Sequence, residues 1–174
     1  MIQLRDKDLS SADFFQAALD AVHVARKHQA RIIINDRVDI ALAVAADGVH
    51  LGQDDLPPAS ARAILGEKAI VGFSTHSDDQ AIEAIALPID YLAIGPAFET
   101  STKCDPDPVV GLAGLREVRH AVGDFPLVAI GGINKKNLRS VFAAGADSAA
   151  VISAILSDAD AIEQRMKDFH SSTE

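Results

Sequence analysis

The sequence predicts an α/β protein of the TIM-type (β/α)8 barrel class, with seven βα units visible in its 174 residues. Three observations predict it. Short apolar runs alternate with amphipathic stretches along the whole chain. The runs recur with a period of roughly 20 to 30 residues, the spacing of repeated βα units. Polar and charged residues collect after the runs, at the ends where such folds build their sites. A doubly wound open sheet is the alternative the same pattern allows.

The expected strands, in order, are 2–5, 31–35, 48–52, 69–74, 91–96, 126–132 and 148–153. Each is too short for a buried helix, is bounded by Gly, Pro, Asn or Asp, and is apolar without strict alternation. Buried parallel strands read this way. The expected helices are 11–28, 38–45, 58–65, 78–86, 112–121, 134–144 and 158–169. In the first, Phe14, Phe15, Ala18, Val22 and Ala25 are expected on one side. Helix starts are signalled by Ser77-Asp78, by Asn134 and by Ser157-Asp158, whose side chains can accept from orphan backbone N–H groups. One domain spans 1–174, because this length supports one sizeable core more easily than two.

Composition narrows the function. A formal net charge of −9 argues against a nucleic-acid partner, which a basic stripe would announce. It also means that anionic substrates must be met by local cations or a divalent metal. No apolar run approaches the eighteen or so residues that span a bilayer. The first ten residues lack the pattern of a secretory signal, and a single cysteine, Cys104, excludes a disulfide framework. A soluble, cytoplasmic protein without membrane or nucleic-acid partners is expected.

The chemistry collects at strand ends. Gln3, Arg5 and Lys7 alternate along the first strand and can turn one way, toward an anion such as a diphosphate, or simply face solvent. Asn35 and Asp36 end the second strand, and "GQDD" carries Asp54 and Asp55 past the third. Asp36 and Asp55 can converge on one Mg²⁺, a cation that favours oxygen ligands completed by substrate phosphates; they can equally be helix caps. Ser74 and His76 follow the fourth strand. The loop 95–105 carries Thr100, Ser101, Thr102 and Lys103, which suit an oxyanion. Gly131-Gly132 before Asn134 is either a close-approach anion site or a tight turn. With Ile152 and Ser153 after the last strand, it matches the phosphate site that barrels place after their last two strands. His50 is expected to pack in the core, His76 to be either an acid/base or structural, and Cys104 to be incidental.

Taken together and in this order, "IQLRDK", "IINDRVDIALAVAADGVHLGQDDLPP", "GFSTHS", "YLAIGPAFETSTK", "PLVAIGGI" and "AGADSAAVISAI" resemble the thiamine phosphate synthase family across nearly the whole chain. The resemblance implies a transferase of thiamine biosynthesis. It couples a hydroxymethylpyrimidine diphosphate to a thiazole phosphate and releases thiamine phosphate and pyrophosphate. It further implies that Gln3, Arg5, Lys7, Asn35 and Lys103 hold the pyrimidine diphosphate, and that Asp36 and Asp55 bind Mg²⁺. Ser74 would contact the aminopyrimidine or the leaving group. Thr100, Thr102, Gly132, Ile152 and Ser153 would receive the thiazole phosphate. Arg5, Lys7, Ser74 and Lys103 are the residues expected to act on the reacting groups. The related thiazole tautomerases typically lack the acid pair and the full "TSTK" element, both present here. A barrel that only binds thiazole phosphate is the reading of another class.

The family has eight βα units, whereas this sequence shows seven and starts at what resembles the second strand. An exposed sheet edge, reduced stability and a tendency to self-associate are therefore expected.

Overall fold

The computed structural model describes residues 1–100 and 107–171. The chain divides into two compact units, one made of 1–74 with 87–90, the other of 75–86 with the segment from Tyr91 onward.

In the first unit, strands β1 (Ile2–Leu4), β2 (Ile32–Asn35), β3 (Gly48–Leu51) and β4 (Ile70–Thr75) are hydrogen-bonded in chain order. Every pair is parallel, with Ile34 opposite Val49 and His50 opposite Gly72. Parallel neighbours need a crossover. Helices α1 (Ser11–Lys27), α2 (Val38–Ala43) and α3 (Pro58–Leu65) supply the three. The core is the aliphatic middle of β2 and β3, where Ile33, Ile34, Val49 and Leu51 are fully buried.

Helix α1 shows how local sequence sets this packing. The Ser10 hydroxyl oxygen accepts from Asp13 N at 3.2 Å and donates to Asp13 Oδ2 at 2.6 Å, satisfying the helix start. Phe14, Ala18, Val22 and Ala25 follow at helical spacing and are buried. Burial of Phe14 alone contributes roughly 2 kcal/mol. Phe15 departs from expectation and is 36% exposed. One residue along an α-helix is a turn of about 100°, which carries it off the buried stripe.

In the second unit, β5 (Tyr91–Ile94), β6 (Leu127–Ile130) and β7 (Ser148–Ala150) are parallel and again in chain order. Thr75, the last residue of β4, belongs here. Its carbonyl accepts from Gly95 N at 3.2 Å, and its buried hydroxyl donates to Ala93 O at 3.1 Å. The helices are α4 (Asp78–Ala84), α5 (Gly111–Val122), α6 (Leu138–Ala143), α7 (Ser153–Leu156) and α8 (Ile162–His170). A 3₁₀ turn, Ala159–Ala161, precedes the last of them.

Three expectations shift here. The helix expected from residue 134 begins at Leu138, because Asn134 and Asn137 form a turn in which both amides donate to Gly132 O, at 3.4 and 3.1 Å. The last strand stops at Ala150, and the short α7 starts at Ser153, inside the apolar run read as strand. The final helix is preceded by the 3₁₀ turn that Asp158 caps, accepting from Asp160 N at 3.2 Å.

A device repeats at the opposite, amino-terminal strand ends, which the sequence makes look plain. Asp47, Asp90 and Asp147 each precede an odd-numbered strand. Their Oδ2 atoms accept from Ile32 N at 2.8 Å, Val71 N at 2.7 Å and Leu127 N at 2.8 Å. Arg62 and Arg119 then bind Asp90 and Asp147 at 2.7 and 2.5 Å. Each arginine also gathers loop carbonyls, Pro88 O for Arg62 and Gly145 O for Arg119. Backbone groups at the strand starts thereby find partners that a loop alone would leave to water.

Candidate active site

At the carboxyl end of β2 the chain turns on Asp36, which has a left-handed φ of +61°. Aspartate tolerates this conformation better than most residues. Asp36 N donates to His50 O at 2.8 Å, extending the ladder to β3, while Arg37 N donates back to Asn35 O at 2.7 Å. This turn puts the Asp36 carboxyl over the strand end. Past β3, Asp55 Oδ2 accepts from Gly52 N at 2.7 Å, which curls the "GQDD" loop and fixes the second carboxyl.

The two carboxyls meet. Asp36 is pushed up from its ordinary value, first by burial, then by a hydrogen bond from its side chain to that of Asp55 and by the Asp55 charge. Lys7, whose Nζ lies 3.3 Å from Asp36 Oδ2, partly offsets this. Two acids held this close, one of them partly buried, favour a shared proton or a cation between them. No larger cluster of three or more His, Cys, Asp or Glu suited to a metal forms among the described residues. A pair of hard oxygen donors fits Mg²⁺, which keeps water and substrate oxygens in its remaining positions. Asp54 is exposed beside them.

The same unit places a second group next to the acids. His50 on β3 is 6% exposed, and its Nε2 lies 2.7 Å from the Ser74 hydroxyl at the end of β4. Gln53 Nε2 donates to the Ser74 carbonyl at 2.5 Å. Burial pushes the His50 imidazole down to about 4, against a smaller upward pull from Asp55. His50 was expected to be buried, and it is. Its bond to Ser74 and the Gln53 contact were not visible in the sequence, since both depend on strand register. Gln3 and Arg5 are exposed, with Arg5 just past the end of β1. Asn35, the last residue of β2, is half-buried.

In the second unit, Gly131 and Gly132 have φ of +95° and +63°. The segment after β5 lies against them: Ala97 N donates to Ile130 O at 2.8 Å and Phe98 N to Gly131 O at 3.1 Å. A Cβ on Gly132 would stand 2.5 Å from Glu99 O and 2.7 Å from Phe98 Cβ. Close approach of the protein's own backbone therefore requires these glycines, in addition to the turn. Thr100 follows this segment, half-buried and partnered. Ile152 and Ser153 are exposed at the start of α7. His76 has a fixed partner, with Nδ1 2.6 Å from Gly95 O and 3.4 Å from Asp107 Oδ2. Thr102, Lys103 and Cys104 lie outside the described residues.

The chain is similar to known proteins over most of its length. A family model described as thiamine monophosphate synthase covers residues 1–155. A thiamine-phosphate synthase of Clostridium novyi (strain NT) is 48% identical over 160 residues, 92% of this chain and 78% of that one. One from Methanospirillum hungatei is 47% identical over 160 residues, 92% of this chain and 77% of its own. Among solved structures, thiamine phosphate pyrophosphorylase from Pyrococcus furiosus superposes with a TM-score of 0.85 at 37% identity. That match covers 99% of this chain and 83% of the other.

Proposed function

The chain belongs to the thiamine monophosphate synthase family, and from that premise we propose how its residues join a hydroxymethylpyrimidine diphosphate to a thiazole phosphate. The products are thiamine phosphate and pyrophosphate. The observation that carries the reading is the meeting of Asp36 and Asp55 beside Lys7 at the carboxyl ends of β2 and β3.

Asp36 and Asp55 hold Mg²⁺, which when bound neutralises the diphosphate and improves it as a leaving group. Gln3, Arg5, Lys7 and Asn35, with Lys103, bind the diphosphate. The positive charges of Arg5, Lys7 and Lys103 counter the −9 of the chain where the anion sits, and the Gln3 and Asn35 amides add neutral hydrogen-bond donors. Ser74 contacts the aminopyrimidine. The pyrimidine amino group donates electrons into its ring as the C–O bond to pyrophosphate breaks. The thiazole nitrogen then bonds to the resulting stabilised cation. Gly132, Ile152 and Ser153, with Thr100 and Thr102, hold the thiazole phosphate, so binding energy distant from the reacting atoms orients the nucleophile. No protein nucleophile takes part in this scheme; the side chains orient reactants and stabilise the departing charge.

The reading extends to a TIM-type (β/α) barrel as the fold class and to a cytoplasmic location. No helix among the described residues is long and apolar enough to cross a membrane. It also extends to self-association along β1, which among the described residues pairs with β2 alone and leaves Ile2 52% exposed. Light scattering at several protein concentrations measures that assembly; a monomer throughout removes this part.

The coupling itself is tested by supplying both substrates to the purified chain, with and without Mg²⁺, and following thiamine phosphate. Mg²⁺-dependent product that Asp55→Ala abolishes supports the reading. Product formed equally well after chelation refutes the metal role, and no product at all from folded protein refutes the activity.

A further inference from the structure

His50 and Thr75 are the buried polar side chains of this fold among the described residues. Thr75 is accounted for by its bond to Ala93 O. His50 is not used by the scheme above, and an imidazole in an otherwise aliphatic strand is costly unless it is partnered. Its strand neighbours, Val49 and Leu51, are fully buried. A leucine or valine would pack at this position without the desolvation cost. What the histidine adds and an aliphatic residue could not is the contact of Nε2 with Ser74 Oγ at 2.7 Å.

Ser74 is held at two points. Gln53 Nε2 binds its carbonyl at 2.5 Å and His50 binds its hydroxyl. A free serine hydroxyl samples three χ1 wells, and its proton rotates to suit whatever is near. With His50 Nε2 2.7 Å away, the serine oxygen is held in one of those wells.

We propose, resting on the coupling reaction and on Ser74 contacting the aminopyrimidine, that His50 is a positioning residue: Nε2 accepts a hydrogen bond from the Ser74 hydroxyl and holds the serine oxygen as a fixed acceptor for the pyrimidine amino N–H. As that amino group donates into the ring and pyrophosphate departs, its N–H becomes more acidic. The hydrogen bond to Ser74 Oγ strengthens between ground and transition state. Interactions of this kind raise kcat without a matching change in KM. The imidazole strengthens the acceptor further, because a hydroxyl that donates is a better acceptor. His50 itself touches no substrate atom and carries no proton through the reaction.

The first measurement is histidine-selective ¹⁵N NMR on the substrate-free protein. His50 should show an unprotonated, hydrogen-bonded Nε2 with the proton on Nδ1, and Ser74→Ala should move that Nε2 resonance. Kinetics then compare wild type with His50→Leu and His50→Asn. His50→Leu should lower kcat roughly 10- to 30-fold, the scale of one hydrogen bond, with either KM changed less than about threefold. His50→Asn, whose amide oxygen can accept from Ser74, should recover part of the loss. In a Ser74→Ala background, His50→Leu should cost less than about twofold. A protonated Nε2, wild-type kcat in folded His50→Leu, or fully additive losses would each overturn the proposal. If His50→Leu does not fold, His50→Asn and the wild-type spectrum decide it. Wild-type protein that makes no thiamine phosphate fails the coupling reading instead, and the NMR result still reports whether His50 holds Ser74.

Discussion

Lys7 Nζ stands 3.3 Å from Asp36 Oδ2, joining the loop after β1 to the turn after β2. The lysine side chain is 60% exposed and the aspartate 23%. An ion pair so open to water contributes well under about 1 kcal/mol to stability. Lys7→Ala should therefore melt within a degree or two of wild type while raising KM for the pyrimidine diphosphate about tenfold. Thermal melting and steady-state kinetics on the same preparation check both halves.

Asp36→Asn separates stability from activity in the other direction. Asparagine tolerates the φ of +61°, and the change removes a carboxyl that burial and Asp55 disfavour as an anion. The melting temperature should stay level or rise, and the Mg²⁺-dependent rate should fall more than about 100-fold. A melting curve shifted strongly downward would show that the acid pair is structural.

The aspartates at the opposite sheet end carry stability instead. Asp90 Oδ2 takes Val71 N at 2.7 Å and the Arg62 guanidinium at 2.7 Å. Asp90→Ala leaves the N–H of a fully buried valine unpaired and should cost about 2 kcal/mol in denaturant unfolding. Substrate KM values should not move, because nothing at the catalytic end is touched.

Gly132→Ala meets both a positive φ and a carbonyl oxygen 2.5 Å from the new methyl. The Phe98–Glu99 backbone must shift to admit it. The variant should lose about 2 kcal/mol of stability and bind thiazole phosphate at least tenfold more weakly, with KM for the pyrimidine diphosphate unchanged. Isothermal titration with each substrate tests the asymmetry.

His50 sets a pH dependence of folding. Its folded value of about 4 lies below the ordinary 6.5, so between these values the unfolded chain binds a proton that the folded protein refuses. Stability from this residue is complete above about pH 6.5 and is lost as pH falls toward 4. The loss is on the order of 3 kcal/mol across that window. Urea unfolding at pH 7 and at pH 4.5 measures it, and the pH 7 to 4.5 difference should shrink in His50→Asn.

The strands were legible because burial is written locally. Runs such as "RIIIN" and "YLAI" are apolar on both faces through their middle, whereas helix α1 buries one stripe, Phe14, Ala18, Val22 and Ala25. The errors fall where a longer-range bond overrides the local pattern. Asn134 is a good helix start by type, yet its amide turns back to Gly132 O and the helix waits for Leu138. "VISAI" is apolar enough for a strand, yet β7 stops at Ala150 and the chain coils into α7. The strand-start aspartates looked like ordinary turn residues because their partners, Ile32 N, Val71 N and Leu127 N, lie 15 to 20 residues away.

By itself the sequence determined the βα alternation and placed the acids, serine and glycines after strands rather than before them. These are properties of neighbouring residues, set by side-chain burial and backbone preference over a few positions. Only the tertiary structure decided that the Asp36 and Asp55 carboxyls share one place, that His50 reaches Ser74 across 24 residues, and that Gly132 yields to Glu99 O. Each is a matter of strand register and loop path, distances between parts of the chain that no local pattern encodes.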